Sequence, residues 1–274
     1  MCSILSPRLF VIAESQRSFM GAGERCEIVG SQNTAIVSGG LVYITNSTQS
    51  FVGSGTNLQM LRVQHSAIVS GGGSRLTDCN YCFVGAGLNA IMSDSGASAI
   101  VAGSNNNMLL STNSIMGAGD RNSMTSSDNS GMISGTENTM TNRGTSFMGA
   151  GYGNFIIADI LNSLSANAIV AGNNNTILDS TTSFMGAGLR NNITGQNNGM
   201  VAGGFLTITS GSQSIIGSGT NIRMDNPENS GILCGGGIRM TDVNLCFIGA
   251  GLNAMMTNGY ASAIVAGSTN SMSS

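Results

Sequence analysis

The chain has no Trp, two Pro, one His and four Tyr in 274 residues. Only 8% of its residues are charged, against about 25% in an ordinary soluble domain. Each scarcity excludes something. Lys and Arg together number 10, too few to build a face that tracks phosphates, so no nucleic-acid partner is expected. No run of 18 apolar residues occurs, so no membrane insertion by a helix is expected. Two prolines exclude a collagen-like triple helix despite 40 glycines. Thirteen acidic residues are scattered rather than recurring as in calcium-binding solenoids. The six cysteines (Cys2, Cys26, Cys79, Cys82, Cys234, Cys246) show no disulfide framework, which fits assembly under reducing conditions. Disorder is excluded by 41% hydrophobic residues and a net charge of −3.

What is present is a repeat. Units start at Ser18, Thr34, Ser50, Ser66, Cys82, Ser98, Ser114, Ser130 and Ser146, sixteen residues apart. After five extra residues they resume at Asn167 and Ser183; one residue is then lost, and Asn198, Ser214, Ser230, Cys246 and Ser262 follow. The third position of a unit is always Ile, Val or Met, the fifth Ala, Ser or Cys, the sixth Gly, and the eleventh Ile, Leu or Met. A short apolar segment bounded by Gly, Asn, Ser and Thr reads as a strand, because Gly and Asn in every unit would penalise a helix repeatedly. Two strands per sixteen residues give one flattened coil. Positions three and eleven, half a period apart, then point inward from opposite walls. The expected core is Met20, Ile28, Ile36, Ile44, Val52, Met60, Ile68, Leu76, Val84, Met92, Ile100, Met108, Met116 and Met124, continuing at the same positions to Met272. Sixteen coils stacked about 4.8 Å apart would make a rod roughly 75–80 Å long. The fold class is therefore all-β, a parallel β-solenoid.

Positions two and four follow a second rule without exception. A large residue then Gly (Phe19/Gly21, Phe51/Gly53, Phe83/Gly85) alternates with a small residue then an aliphatic one (Ala35/Val37, Ala67/Val69, Ala99/Val101). These positions are expected on the strand face opposite to positions three and five. Large beside small keeps packing dense. The resulting outward stripe, carried by Phe19, Phe51, Phe83, Ile115, Phe147, Phe184, Ile215 and Phe247, is larger than a monomer normally exposes. It is the expected chain-to-chain interface, most simply around a three-fold axis.

Residues 1–17 fit the frame as a degenerate capping coil, with Cys2 at position one, Ile4 at three, Ile12 at eleven and Pro7 with Arg8 at the edge. Residues 18–274 form one solenoid domain, with an inserted loop around 154–166. A larger duplication overlies the repeat: Phe83–Gly103 and Phe247–Gly267, offset by 164, agree at 15 of 21 positions.

The unit Ser-Phe-Met-Gly-Ala-Gly, with segments such as Gly172-Asn173-Asn174-Asn175-Thr176-Ile177, resembles the head repeats of trimeric autotransporter adhesins. The closest likeness is to the sixteen-residue variety found in surface and fibre-like proteins of bacteria and some large viruses. The resemblance covers residues 18–274 and implies a left-handed roll, three chains per rod and a role in attachment or display. Met1-Cys2-Ser3 lacks the basic start of a signal peptide, and Pro7 interrupts the apolar run. Cytoplasmic assembly before display on a virion or cell surface is therefore expected.

No chemistry-bearing constellation emerges. Gly-x-Gly recurs with the period and no helix pattern follows, so it reads as a turn device and not a nucleotide loop. Cys79-Asn80-Tyr81-Cys82 reads as packing, because the duplicate places Val243 at the first of its positions. His65 is Asn229 in its copy and reads as a surface corner. Arg75/Asp78 and Arg239/Asp242 read as corner ion pairs or turn caps. Neither cofactor nor metal is expected. The reading is a non-enzymatic rod in a fibre, spike or surface coat. The alternatives are an adhesin binding host glycan or a receptor through polar corners or the 154–166 loop, and an ice-binding solenoid carrying Thr at position twelve.

Overall fold

Short apolar segments every eighth residue, each closed by a corner, form strands with a computed structural model as their description. It describes residues 2–4, 10–21, 24–37, 40–54, 56–69, 72–141, 144–158, 165–201, 203–205, 207–210 and 212–273, with 2–4 and 10 as backbone alone. Leu5, Pro7 and Arg8 lie outside the described residues. The fold is an all-β parallel solenoid, and its residues divide into two compact units, Met1–Glu137 and Asn138–Ser274.

In the first unit one wall comprises Cys2–Ile4, Ser18–Gly21, Ala35–Val37, Phe51–Gly53, Ala67–Val69, Phe83–Leu88, Ala99–Ser104, Ile115–Met116 and Gly131–Met132. Each strand pairs parallel with the next, sixteen residues on. The second wall comprises Phe10–Ile12, Glu24–Ile28 and Gly40–Val42, then Arg75–Thr77, Ile91–Ser93, Asn107–Leu109 and Ser123–Thr125. The opening coil keeps the frame, with Ile4 opposite Met20 and Ile12 opposite Ile28.

The second unit repeats the plan. Its first wall runs from Phe147–Tyr152 and Ala166–Asn173 to Phe247–Ile248 and Ala263–Ile264. Its second wall runs from Thr139–Thr141 and Phe155–Ile157 to Gly237–Arg239. The extra residues and the lost one leave the parallel pairing intact: Phe147 pairs with Ala168, and Phe184 with Gly199. Phe155, Ile156 and Ile157 are strand, in register with Thr139–Thr141 and Thr176–Leu178, so the front of the expected 154–166 loop belongs to the wall. Ala158 and Ser165 are buried and Ala166 opens the next strand of the first wall, while 159–164 lie outside the described residues.

All fourteen named core residues are buried, and so are the equivalent positions as far as Ile264. Met272 departs from the pattern and is exposed, because the segment around it forms no strand. A second correction concerns position five. Ala86 and Ala150 face outward, because the chain begins its corner there; Ser54, Ser218 and Cys234 take positive φ at this position. The interior is completed instead by positions one, nine and fourteen. Position one contributes small polar residues such as Ser66, Ser98 and Ser114, and position fourteen contributes Val63, Cys79, Ser95 and Ser111, all buried. Position nine carries Cys26, Val42, Leu58, Ser74 and Ala90, then Asn106 and Asn122; in the second unit it carries Asn138, Asn154, Asn175 and Asn191, then Ile222, Ile238 and Ala254.

The buried asparagines of position nine tie neighbouring coils together. Asn106 Nδ2 donates to Ala102 O in its own coil and Gly119 O in the next, both at 3.1 Å, while its Oδ1 accepts from Asn122 N at 3.1 Å. In the second unit Asn138 Oδ1 accepts from Asn154 N, Asn154 Oδ1 from Asn175 N and Asn175 Oδ1 from Asn191 N, at 2.9, 3.0 and 3.1 Å. A polar group can occupy this interior where its donors and acceptors are paired, as on Asn106 and Asn154; the hydroxyls of Ser18, Ser31, Ser47, Ser74 and Ser214 and the Nδ2 of Asn198 are buried without such a partner among the described residues. These asparagines and the position-one serines are inside, so the polar exterior is narrower than the composition suggests.

Candidate functional site

Two surfaces and one buried thiol pair are candidates; the first is the outer face of the first wall. Its outward residues Phe19, Phe51, Phe83 and Ile115 in the first unit, and Phe147, Phe184, Ile215 and Phe247 in the second, are 38–47% exposed. Val37, Val69, Val101 and Ile133, then Val170, Val201 and Leu233, stand exposed between them. No charged residue occupies position two or four in any unit. The alternation has a local cause that sequence reasoning missed. The rings of Phe19, Phe51 and Phe83 fold over the Gly two residues on: a β-carbon at Gly21, Gly53 or Gly85 would sit 3.1–3.2 Å from the ring. At Gly85, Gly117 and Gly149 the carbonyl of the aliphatic residue in the next coil (Val101, Ile133, Val170) fills the space of a side chain. A residue larger than Gly would force both neighbours away.

The outer face of the second wall is more polar. Position ten places Tyr43, Gln59 and Arg75 in three successive coils; position twelve adds Thr45, Leu61 and Thr77. Together with the edges of Met60 and Leu76 they line a depression of about 360 Å³. Arg75 Nε donates to Thr77 Oγ1 at 3.2 Å. The expected Arg75–Asp78 pair does not form: Asp78 turns away with a φ of 41° and meets Arg62 at 3.7 Å, an exposed contact of little energetic weight. Arg239 and Asp242 make no pair either among the described residues; Asp242 Oδ1 accepts from Asn226 Nδ2 at 3.3 Å. The Thr residues at position twelve form no continuous ladder, since Leu109 stands between Ser93 and Thr125 and Ile157 between Thr141 and Leu178.

The third candidate is the cysteine pair. Cys79 and Cys82 are both buried in the coil interior. Cys82 Sγ donates to Ser95 O at 2.8 Å and Cys79 Sγ to Met92 O at 3.6 Å. The adjacent Cys82 side chain draws the Cys79 thiol down to about 7, while its proximity to Cys79 and burial push the Cys82 thiol far up. Burial raises Cys26 as well. Enclosed thiols with backbone acceptors act as small packing groups. His65 lies exposed on a corner, stacked on Tyr81 with centroids 4.9 Å apart. Among the described residues, no three of His, Cys, Asp and Glu converge on one point.

The invariant Gly of position six is an interior device. Gly103, Gly119, Gly151 and Gly172 have φ between 115° and 145° or at 149°, and a β-carbon on any of them would overlap the amide of the Asn three residues on and the next coil's Gly carbonyl. No protein-family model matches this chain, and no curated protein or solved structure compared with it matches either.

Proposed function

We propose that the chain is a non-enzymatic structural protein of a fibre, spike or surface coat, and that it associates with copies of itself, as a homotrimer, through the outer face of the first wall. One observation carries this reading: the wall presents an alternating Phe/Ile and Val/Ile/Leu stripe, free of charge, outward to solvent in both units. Isolated apolar residues on a surface are ordinary, but a contiguous stripe of this kind marks a buried contact in an assembly. The backbone ladders support the structural role, since they leave few groups for water or a protease to attack.

Light scattering on the purified chain tests the proposal. The expected mass is three times the 27.8 kDa of one chain. Phe51→Asp with Phe83→Asp should shift that mass to the monomer while the β-type circular dichroism is kept. A wild-type chain that remains monomeric at high concentration overturns the reading, and a dimer would correct its stoichiometry.

A further inference from the structure

We propose that the outer face of the second wall in the first unit is a binding site for a saccharide that carries a carboxylate. This proposal does not depend on the assembly reading, which concerns the other wall. The site is the depression in which Tyr43, Gln59 and Arg75 stand one above the other, spanning about 10 Å over two coil spacings. Its volume, about 360 Å³, lies within the range of small-ligand sites.

Each side chain has a role suited to such a ligand. Tyr43 offers an apolar ring with a wet hydroxyl edge, the surface on which the C–H face of a pyranose packs. Leu61, also exposed, widens that apolar floor. Gln59 carries one acceptor and two donor hydrogens, matching sugar hydroxyls that both give and take hydrogen bonds. Arg75 supplies the charge. Its Nε is held by Thr77 Oγ1, which fixes the plane of the guanidinium and leaves the four Nη hydrogens to address a carboxylate in a bidentate manner. Among the described residues no carboxylate lies within ion-pair distance of it. Glu27 occupies the same row one coil before Tyr43, on the side away from Arg75. Its charge disfavours an acidic group at that end and so orients the ligand with its carboxylate toward Arg75.

The duplicated block provides an internal control. Arg239 and Thr241 repeat Arg75 and Thr77, but Thr207 stands where Tyr43 does and Asp225 where Leu61 does. Asp225 is bound to Arg223 at 2.6 Å. The second unit therefore keeps the cation and loses both the platform and the open charge balance.

Calorimetric titration of the full chain with sialyllactose, digalacturonate and neutral lactose tests the proposal. At least one of the two acidic saccharides should bind, and which one does distinguishes a sialic from a uronic acid; lactose should bind at least about tenfold more weakly. Arg75→Gln should cost the acidic ligand about tenfold, Tyr43→Ala should abolish measurable binding, and Arg239→Gln should change nothing. Both altered positions in the site are exposed, and unchanged circular dichroism confirms that the variants fold. Absence of binding to either acidic saccharide overturns the proposal. So does binding that survives both Tyr43→Ala and Arg75→Gln, or that Arg239→Gln removes.

Discussion

At position nine the coils of the second unit are of two kinds. Those starting at Ser146, Asn167 and Ser183 carry Asn; those starting at Asn198, Ser214, Ser230 and Cys246 carry an apolar residue, Ile in the middle two. In the first kind the ladder of the first wall runs on through the corner, pairing Ala150 with Ala171, Gly151 with Gly172 and Tyr152 with Asn173. In the second kind it stops at Gly217 opposite Leu233, and the register slips between Thr220 and Arg223. The same interior position is thus filled in two ways. Asn154 Nδ2 donates to Gly172 O at 3.0 Å and so ties the corner carbonyl down. Ile222 and Ile238 fill the volume by contact, with no bond to hold the corner. Burying an aliphatic group secures the coil's thickness, and the amide in addition secures its turn.

The comparison can be broken at three places. Gly151→Ala should have the largest effect, about 3 kcal/mol or more, because its φ of 145° and the Asn154 amide both oppose a β-carbon. Gly40→Ala, which meets open space, should stay within about 0.5 kcal/mol. Melting of the two variants side by side decides this, and equal losses would contradict the crowding argument. Next comes Asn154→Leu, expected to cost about 2–3 kcal/mol by leaving Gly172 O and Asn175 N–H without partners. Hydrogen exchange at the Asn175 amide should accelerate; an unchanged rate would show that the amide is not what holds the corner. The smallest effect is chemical. In the folded chain Cys234, exposed at a position-five corner, should be alkylated readily, while Cys26, Cys79, Cys82 and Cys246 react only on denaturation.

Much of this was legible in the residues. Positions three and eleven announced the two walls, because an aliphatic residue that never varies in type at half-period spacing has few other uses. The alternation at positions two and four was equally plain, although its cause, a ring lying over its own glycine, needed coordinates. The asparagine ladder was not read, because polarity alone assigns Asn to a corner. Its signal was present: of the counterparts of Asn106 and Asn122 in earlier coils, Cys26, Val42, Leu58 and Ala90 are residues that belong inside, and only Ser74 is polar. The pairing of Arg75 with Asp78 was misread for a different reason. A spacing of three brings side chains together on a helix, whereas here a strand ends between them and the left-handed turn at Asp78 separates the two.

The strict alternation along the first wall has a consequence for how such a chain can change length. Adding or removing one coil would set Phe against Phe at the new junction and a glycine pair beside it, so growth by recombination is confined to even numbers of coils. The internal copy obeys this parity: Cys82 and Cys246 open units ten places apart. The inheritable module is a pair of coils, and lineages built from it should differ in length by multiples of thirty-two residues, about two strand spacings at a time.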